Sequence, residues 1–229
     1  MLSALLMLQP PGLGTPIPDR IGNLRPQADR VLVRVINVGP AQLTVSQGSD
    51  TVQVIPFGEH RDVQLLRESV DPKVRLLDMN VPPGRPPREI RQTAIRFADG
   101  VDRWVMVVWN SGSSISASAA AAHPSAARIR FFVPDDLSTY RIHVAPPEVP
   151  TSRETELFGR PGGFSRGFTP HLFWPAGTPV RFRAVDRPAA AASASAPATD
   201  PIRPEGGSRS LYVLVRLNVG PRFLAFPEL

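Results

Sequence analysis

Val31-Leu-Val-Arg-Val-Ile-Asn-Val-Gly-Pro40 is the stretch on which the fold turns. Its branched side chains favour extended backbone, and Gly39-Pro40 ends the run before a helix of useful length could form. Nearly the same words return at Val213-Leu-Val-Arg-Leu-Asn-Val-Gly-Pro221. The two copies hold different places among their neighbours. The echo therefore reads as a shared grammar, strand then Asn-x-Gly-Pro turn, and not as the register of a duplication.

Working outward from the first copy, strand-like runs follow at Leu43–Ser46, Thr51–Ile55, Val63–Leu66, Val74–Met79, Ile90–Phe97 and Arg103–Trp109. Turn clusters such as Gly48-Ser-Asp50, Pro82-Pro-Gly84 and Asp99-Gly100 divide them, at the spacing of an all-β domain. Gln42-Leu-Thr-Val-Ser-Gln47 alternates with period two, which sends Leu43 and Val45 to one face and Thr44 and Ser46 to the other. Trp104-Val-Met-Val-Val-Trp109 is continuously apolar, as a central strand covered on both faces would be. A second set runs through Arg128–Val133, Thr139–Val144, His171–Trp174, Val180–Val185, Leu211–Leu217 and Phe223–Phe226. Each set opens and closes on an apolar strand, so one plan is used twice.

The expected fold class is all-β, two tandem Ig-like β-sandwich domains spanning 28–110 and 128–229. Residues 111–127, uncharged and rich in Ala and Ser, read as the linker between them. Residues 187–209 read as a disordered loop inside the second domain. Residues 1–27 form a lead segment whose apolar start, Met1–Leu8, has about the length of a secretory signal core.

Composition narrows the function. The 229 residues include 27 Pro and 17 Gly, which disfavours long helices, and no run of about 18 apolar residues suggests a membrane-crossing helix. With no cysteine, disulfide and thiolate chemistry are absent. The formal charge is +6, with Lys73 the single lysine among 26 basic residues. A nucleic-acid binder gathers its arginines in a stripe or tail. Here they alternate with apolar residues, as in Val31–Ile36 and Val180–Val185, and read as the wet face of half-buried strands.

The one catalytic pattern is Gly163-Phe-Ser-Arg-Gly167, a formal match to the hydrolase nucleophile elbow. That device needs a strand before the serine and a helix after it. Gly159-Arg-Pro-Gly-Gly163 precedes Ser165, Pro170 and Pro175 follow, and His171 comes next with no acid between. His60, His123, His143 and His171 show no metal-ligand spacing, and Asp135-Asp136 falls at a strand end. Glu154 and Glu156 share one face of an edge strand. Gly159–Gly163 lacks the Lys-Ser/Thr of a phosphate loop. The expectation is a protein with no catalytic, metal or cofactor site. The aromatic group Phe164, Phe168, Phe173 and Trp174 reads first as core. Arg166, Phe168 and Trp174 are the candidate contacts for a partner protein or polysaccharide.

These residues also support a resemblance. Leu24-Arg-Pro-Gln-Ala-Asp-Arg-Val-Leu-Val-Arg-Val-Ile-Asn-Val-Gly39 resembles the entry to the AlgF-type proteins of bacterial alginate O-acetylation and their relatives in cellulose acetylation, whose first strand reads roughly V-R-V-x-N. Ile129–Val133, Ser165-Arg166, Ser210-Leu-Tyr-Val-Leu-Val215 and Gly220-Pro-Arg-Phe-Leu224 are similar in order to the family's second half. Residues 187–209 and 66–92 depart from it. The resemblance implies a periplasmic, non-catalytic accessory subunit of two β-sandwich domains. It would act beside a membrane-bound O-acyltransferase and a periplasmic acetyl-transferring partner on an exopolysaccharide. It carries no catalytic residues to this chain. A carbohydrate-binding surface module and a pilus-type periplasmic chaperone are the alternative readings.

Overall fold

The computed structural model describes residues 30–47, 50–67, 74–90, 97–118, 124–150, 153, 155–157, 167–186, 199–218 and 220–229. Apart from one short 3-10 turn at Asp135–Leu137, their regular structure is entirely β. The first half holds β1 (Arg30–Asn37), β2 (Gln42–Gln47), β3 (Asp50–Pro56), β4 (His60–Leu66), β5 (Val74–Asp78), β6 (Arg88–Glu89), β7 (Arg103–Trp109) and β8 (Gly112–Ala117). The second holds β9 (Ala126–Phe132), β10 (Tyr140–Ala145), β11 (Thr155–Leu157), β12 (Leu172–Pro175), β13 (Arg181–Asp186), β14 (Arg209–Leu217) and β15 (Gly220–Pro227).

These strands form four sheets. Sheet I has the order β4-β1-β7-β8 and sheet II β3-β2-β5-β6; sheet III has β12-β9-β14-β15 and sheet IV β11-β10-β13. The plan is used twice strand for strand. The opening strand pairs in parallel with the closing strand in each half, β1 with β7 and β9 with β14. Each opening strand also takes one antiparallel neighbour, β4 or β12. Each closing strand ends in a hairpin, to β8 or β15. In the outer sheets β2 is flanked by β3 and β5, and β10 by β11 and β13. Where the first half has β6 beside β5, the second has a single bridge of Ile202 to Val180, next to β13.

Three apolar clusters hold the layers. Val31, Val33 and Val35 of sheet I meet Leu43, Val45, Ile55 and Leu76 of sheet II. Ile129 and Phe131 of sheet III meet Ile142, Val144 and Phe182 of sheet IV. The third cluster lies between the halves, where Ile36, Val105 and Val107 of sheet I face Phe132, Leu211 and Val213 of sheet III. Sheets I and III are thus covered on both faces. That is why β1, β7 and β14 are buried along continuous stretches instead of on alternate residues.

Two expectations meet a different outcome, and a third falls mostly outside the described residues. Six residues of the segment read as a linker, Gly112–Ala117, form β8 along the edge of β7, and Ser113 and Ser114 are buried there. Within the stretch read as a loop from 187, Thr199 to Ile202 runs along β13, with the Thr199 amide donating to the Phe182 carbonyl at 2.8 Å. Of the strand expected over 90–97, residues 91–96 lie outside the described residues; a short strand, β6, stands just before it at 88–89. Glu156 does lie on an edge strand, β11; Glu154 is outside the described residues.

The two Asn-x-Gly-Pro copies do different work. In the first, the Asn37 amide is buried and donates to the carbonyls of Pro40 and Ile55, both at 2.9 Å, tying β1 to the sheet II strand β3. A Cβ on Gly39 would run into the backbone of Trp109 and Asn110, so only glycine lets the chain cross there. The second copy is the tight hairpin between β14 and β15. There Gly220 takes φ +108° with open space around its Cα.

Candidate functional site

Charged groups are concentrated between the two inner sheets. Arg34 and Arg130 occupy matching places on β1 and β9, each two residues before an interface residue, Ile36 and Phe132. Both guanidiniums are buried, at 3 % and 2 % exposure. The expectation that arginines in such strands form the wet face is therefore corrected for these two, because that face is covered by the other half. Arg181 and Arg183 of β13 are only half-buried.

A buried guanidinium requires a partner. Arg34 makes two bonds to the Asp62 carboxylate, 2.7 and 2.8 Å, and a third to the Pro227 carbonyl of the opposite half at 2.8 Å. Arg130 is bonded to the Glu228 carboxylate and donates to Ser116 Oγ, again on the opposite half, at 3.0 Å. The Phe168 ring lies against the Arg130 guanidinium, 4.7 Å from its centroid. His171 Nε2 completes the cluster at 3.2 Å from Glu228. Burial pulls the Arg130 pKa down, against the charge of Glu228. Burial would raise the Glu228 carboxyl, but the His171 hydrogen bond and the Arg130 charge outweigh it and hold the group below its ordinary value.

More arginines flank these pairs at one end of the interface. Arg128 is in register with Phe173 of β12 on one side and Arg209 of β14 on the other, so the three share a face of sheet III. It is the face that looks toward sheet I, since Arg130, two residues on, reaches Ser116 there. Arg30 and Arg103 supply the opposing side: Arg103 is in register with Leu32, on the same face of β1 as Arg34. Phe173 is 58 % exposed, with the Arg128 guanidinium over its ring at 5.0 Å.

Of the residues expected to make external contacts, Arg166 and the elbow serine, Ser165, lie outside the described residues. Phe168 is a correction. It is 3 % exposed and occupied internally, packed against Phe132 at 4.7 Å as well as Arg130. Gly167, last in the elbow pattern, has a packing reason: its φ is +86°, and a Cβ would stand 2.7 Å from the Phe132 ring. Trp174 is half-buried against the second core, and its indole donates to the Thr178 carbonyl at 3.0 Å. Sequence reasoning missed Phe173 as a surface ring, and Glu228 as the acid that meets His171. Among the described residues no group of acidic and histidine side chains could hold a metal ion, and no helix is long and apolar enough to cross a membrane. No family model matches the chain, and no curated protein is similar to it.

Proposed function

We propose that this chain is a periplasmic accessory subunit of an exopolysaccharide O-acetylation complex, contributing binding and positioning and not bond chemistry. In this reading sheets I and II form one Ig-like sandwich, sheets III and IV a second, and the two are docked through their inner sheets. The repeated strand order carries the reading, because the resemblance of Leu24–Gly39 and Ser210–Leu224 implies two β-domains of one plan in a single subunit. The docked interface supports it too: charge-assisted bonds across the halves would hold the outer faces in one fixed relation, as an adaptor between two proteins requires. A membrane-bound O-acyltransferase and an acetyl-transferring partner are the proteins it would join.

Affinity purification of the tagged chain from a periplasmic extract tests this. The expected result is co-elution of an acyltransferase subunit, and loss of polymer-bound acetate with unchanged polymer yield when the gene is deleted. A chain absent from the periplasm, or acetate content unaltered by the deletion, would overturn it.

A further inference from the structure

The hairpins that close the two halves end against each other. Ser118 and Glu228 hold equivalent places, one residue past β8 and one past β15. Each amide donates to the carbonyl of the residue that opens its closing strand, Arg103 at 2.9 Å and Arg209 at 3.0 Å. From there each end crosses to the other half. Ser116 Oγ, near the end of β8, accepts from Arg130 of β9 at 3.0 Å, and the Pro227 carbonyl, at the end of β15, accepts from Arg34 of β1 at 2.8 Å. The two ends also meet directly, with Ser118 Oγ donating to the Leu229 carbonyl at 2.8 Å. Phe226 sets its ring edge-on to His60 of β4, centroids 6.0 Å apart. Such reciprocal contacts are those of an isologous interface between two like modules. Of the two ends only the second contains an acid, Glu228, and its side chain is anchored on Arg130 and His171 of its own half.

We propose that these crossed ends, Ser116–Ser118 and Phe226–Leu229, form a clasp that couples the two halves, and that opening it lets them move and melt as separate bodies. The apolar cluster between sheets I and III attracts without direction, so it cannot by itself fix how one sheet lies on the other. Bonds to a guanidinium have direction and fix that relation. Opening the clasp also takes an acceptor from Arg34 and from Arg130, both buried, and water must follow them into the seam. The apolar contact is then lost together with the bonds. Release of the Glu228 end is thus the step on which the coupling of the halves depends. The inference concerns the isolated chain and does not depend on the acetylation reading.

Native-state hydrogen exchange and scanning calorimetry of the full chain form the test. In the wild type under rising urea, the Ser118 and Glu228 amides should open as one unit although they belong to different halves, with protection that agrees within about threefold. Calorimetry of the wild type should show one transition, and Phe131→Ala in the second core should lower that transition as a whole. Glu228→Ala with Ser118→Ala should split it in two. Adding Phe131→Ala to that variant should then shift one transition and leave the other in place, which a merely destabilised chain would not do. Circular dichroism verifies folding. If the Glu228 variant is unfolded, Ser116→Ala with Ser118→Ala keeps the Arg130–Glu228 pair and should give the same splitting. Ser118 and Glu228 amides whose protection differs by more than about tenfold would overturn the proposal. So would folded clasp variants that melt in a single transition, moved as a whole by Phe131→Ala.

Discussion

The two halves place an arginine at the same point of the same strand and then satisfy it differently. Arg34 takes its carboxylate from the adjacent strand, Asp62 in register on β4, whose side chain keeps 14 % of its exposure. Arg130 takes its carboxylate from Glu228, beyond the end of β15 and fully buried. Each then bonds to the opposite half. A shared topology thus fixes where a charge is needed without fixing which residue supplies it, and the two solutions should differ in cost when broken.

The largest effect is expected at Glu228→Ala, which strands a charge at the centre of the interface: about 3 to 5 kcal/mol by urea unfolding. Asp62→Ala should cost less, about 1 to 3 kcal/mol, because Arg34 keeps the Pro227 carbonyl and the Asp62 side chain is partly exposed, so water can reach its place. If the two cost the same, burial does not distinguish the halves. Replacing the whole pair, Arg130→Met with Glu228→Leu, should restore most of the loss.

The cores allow a second comparison. The first is mainly aliphatic, whereas Phe131 in the second packs against Phe182, Tyr212 and Phe223 at centroid distances of 4.9, 5.7 and 5.9 Å. Phe131→Ala should cost about 3 to 5 kcal/mol and Val33→Ala about 2 to 3, read from the same unfolding curves. Tyr212, its phenol pushed up to about 12 by burial, gives an optical readout, since its ionisation at lower pH would mark the opening of that core.

The Asn-x-Gly-Pro copies follow. Gly39→Ala meets backbone that cannot move aside and should cost about 3 kcal/mol. Gly220→Ala meets open space and carries only its left-handed backbone, about 1 to 2 kcal/mol. Equal values would show that the two copies are structurally alike after all.

The smallest effect is in pH. Because the folded chain holds the Glu228 carboxyl below its ordinary 4.5, the unfolded chain binds that proton first as acid is added. The contribution of Glu228 is complete above pH 4.5 and is lost as the pH falls through the lower folded value. Glu228→Gln should flatten the acid limb of a stability profile, and an unchanged limb would place acid sensitivity elsewhere.

Much of this was legible from residue pattern. The continuous run at 104–109 announces a strand covered twice, whereas Arg34 made 31–36 read as only half-buried; the alternation at 42–47 places Leu43 and Val45 inward as observed. β8 escaped notice because Gly112-Ser-Ser-Ile-Ser-Ala117 has almost no apolar bulk; β7 beside it and sheet III above make it a strand. Ion-pair partners were invisible for a different reason. Asp62 is 28 residues from Arg34, and Glu228 is 98 from Arg130, so only the docked sheets reveal that these arginines face inward. Phe168, the ring expected outside, is buried against Arg130, and Phe173, not expected there, is the exposed one; the sequence did not show which ring reaches Arg130.

Parallel pairing of the first and last long strands has a consequence for how the chain comes into being. β1 waits for residues around 103–109 before its second edge is occupied, and β9 waits likewise for 209–213. Each half is closed by its last hairpin, so a ribosome or a secretion channel delivering the polypeptide from its N-terminus must keep a wide oily surface idle until near the end. Such long-range closure makes for slow acquisition of structure and a lengthy window for clumping. A chain stopped just before Arg209 would lack both β14 and β15, leaving Phe131 without the Tyr212 and Phe223 rings that cover it.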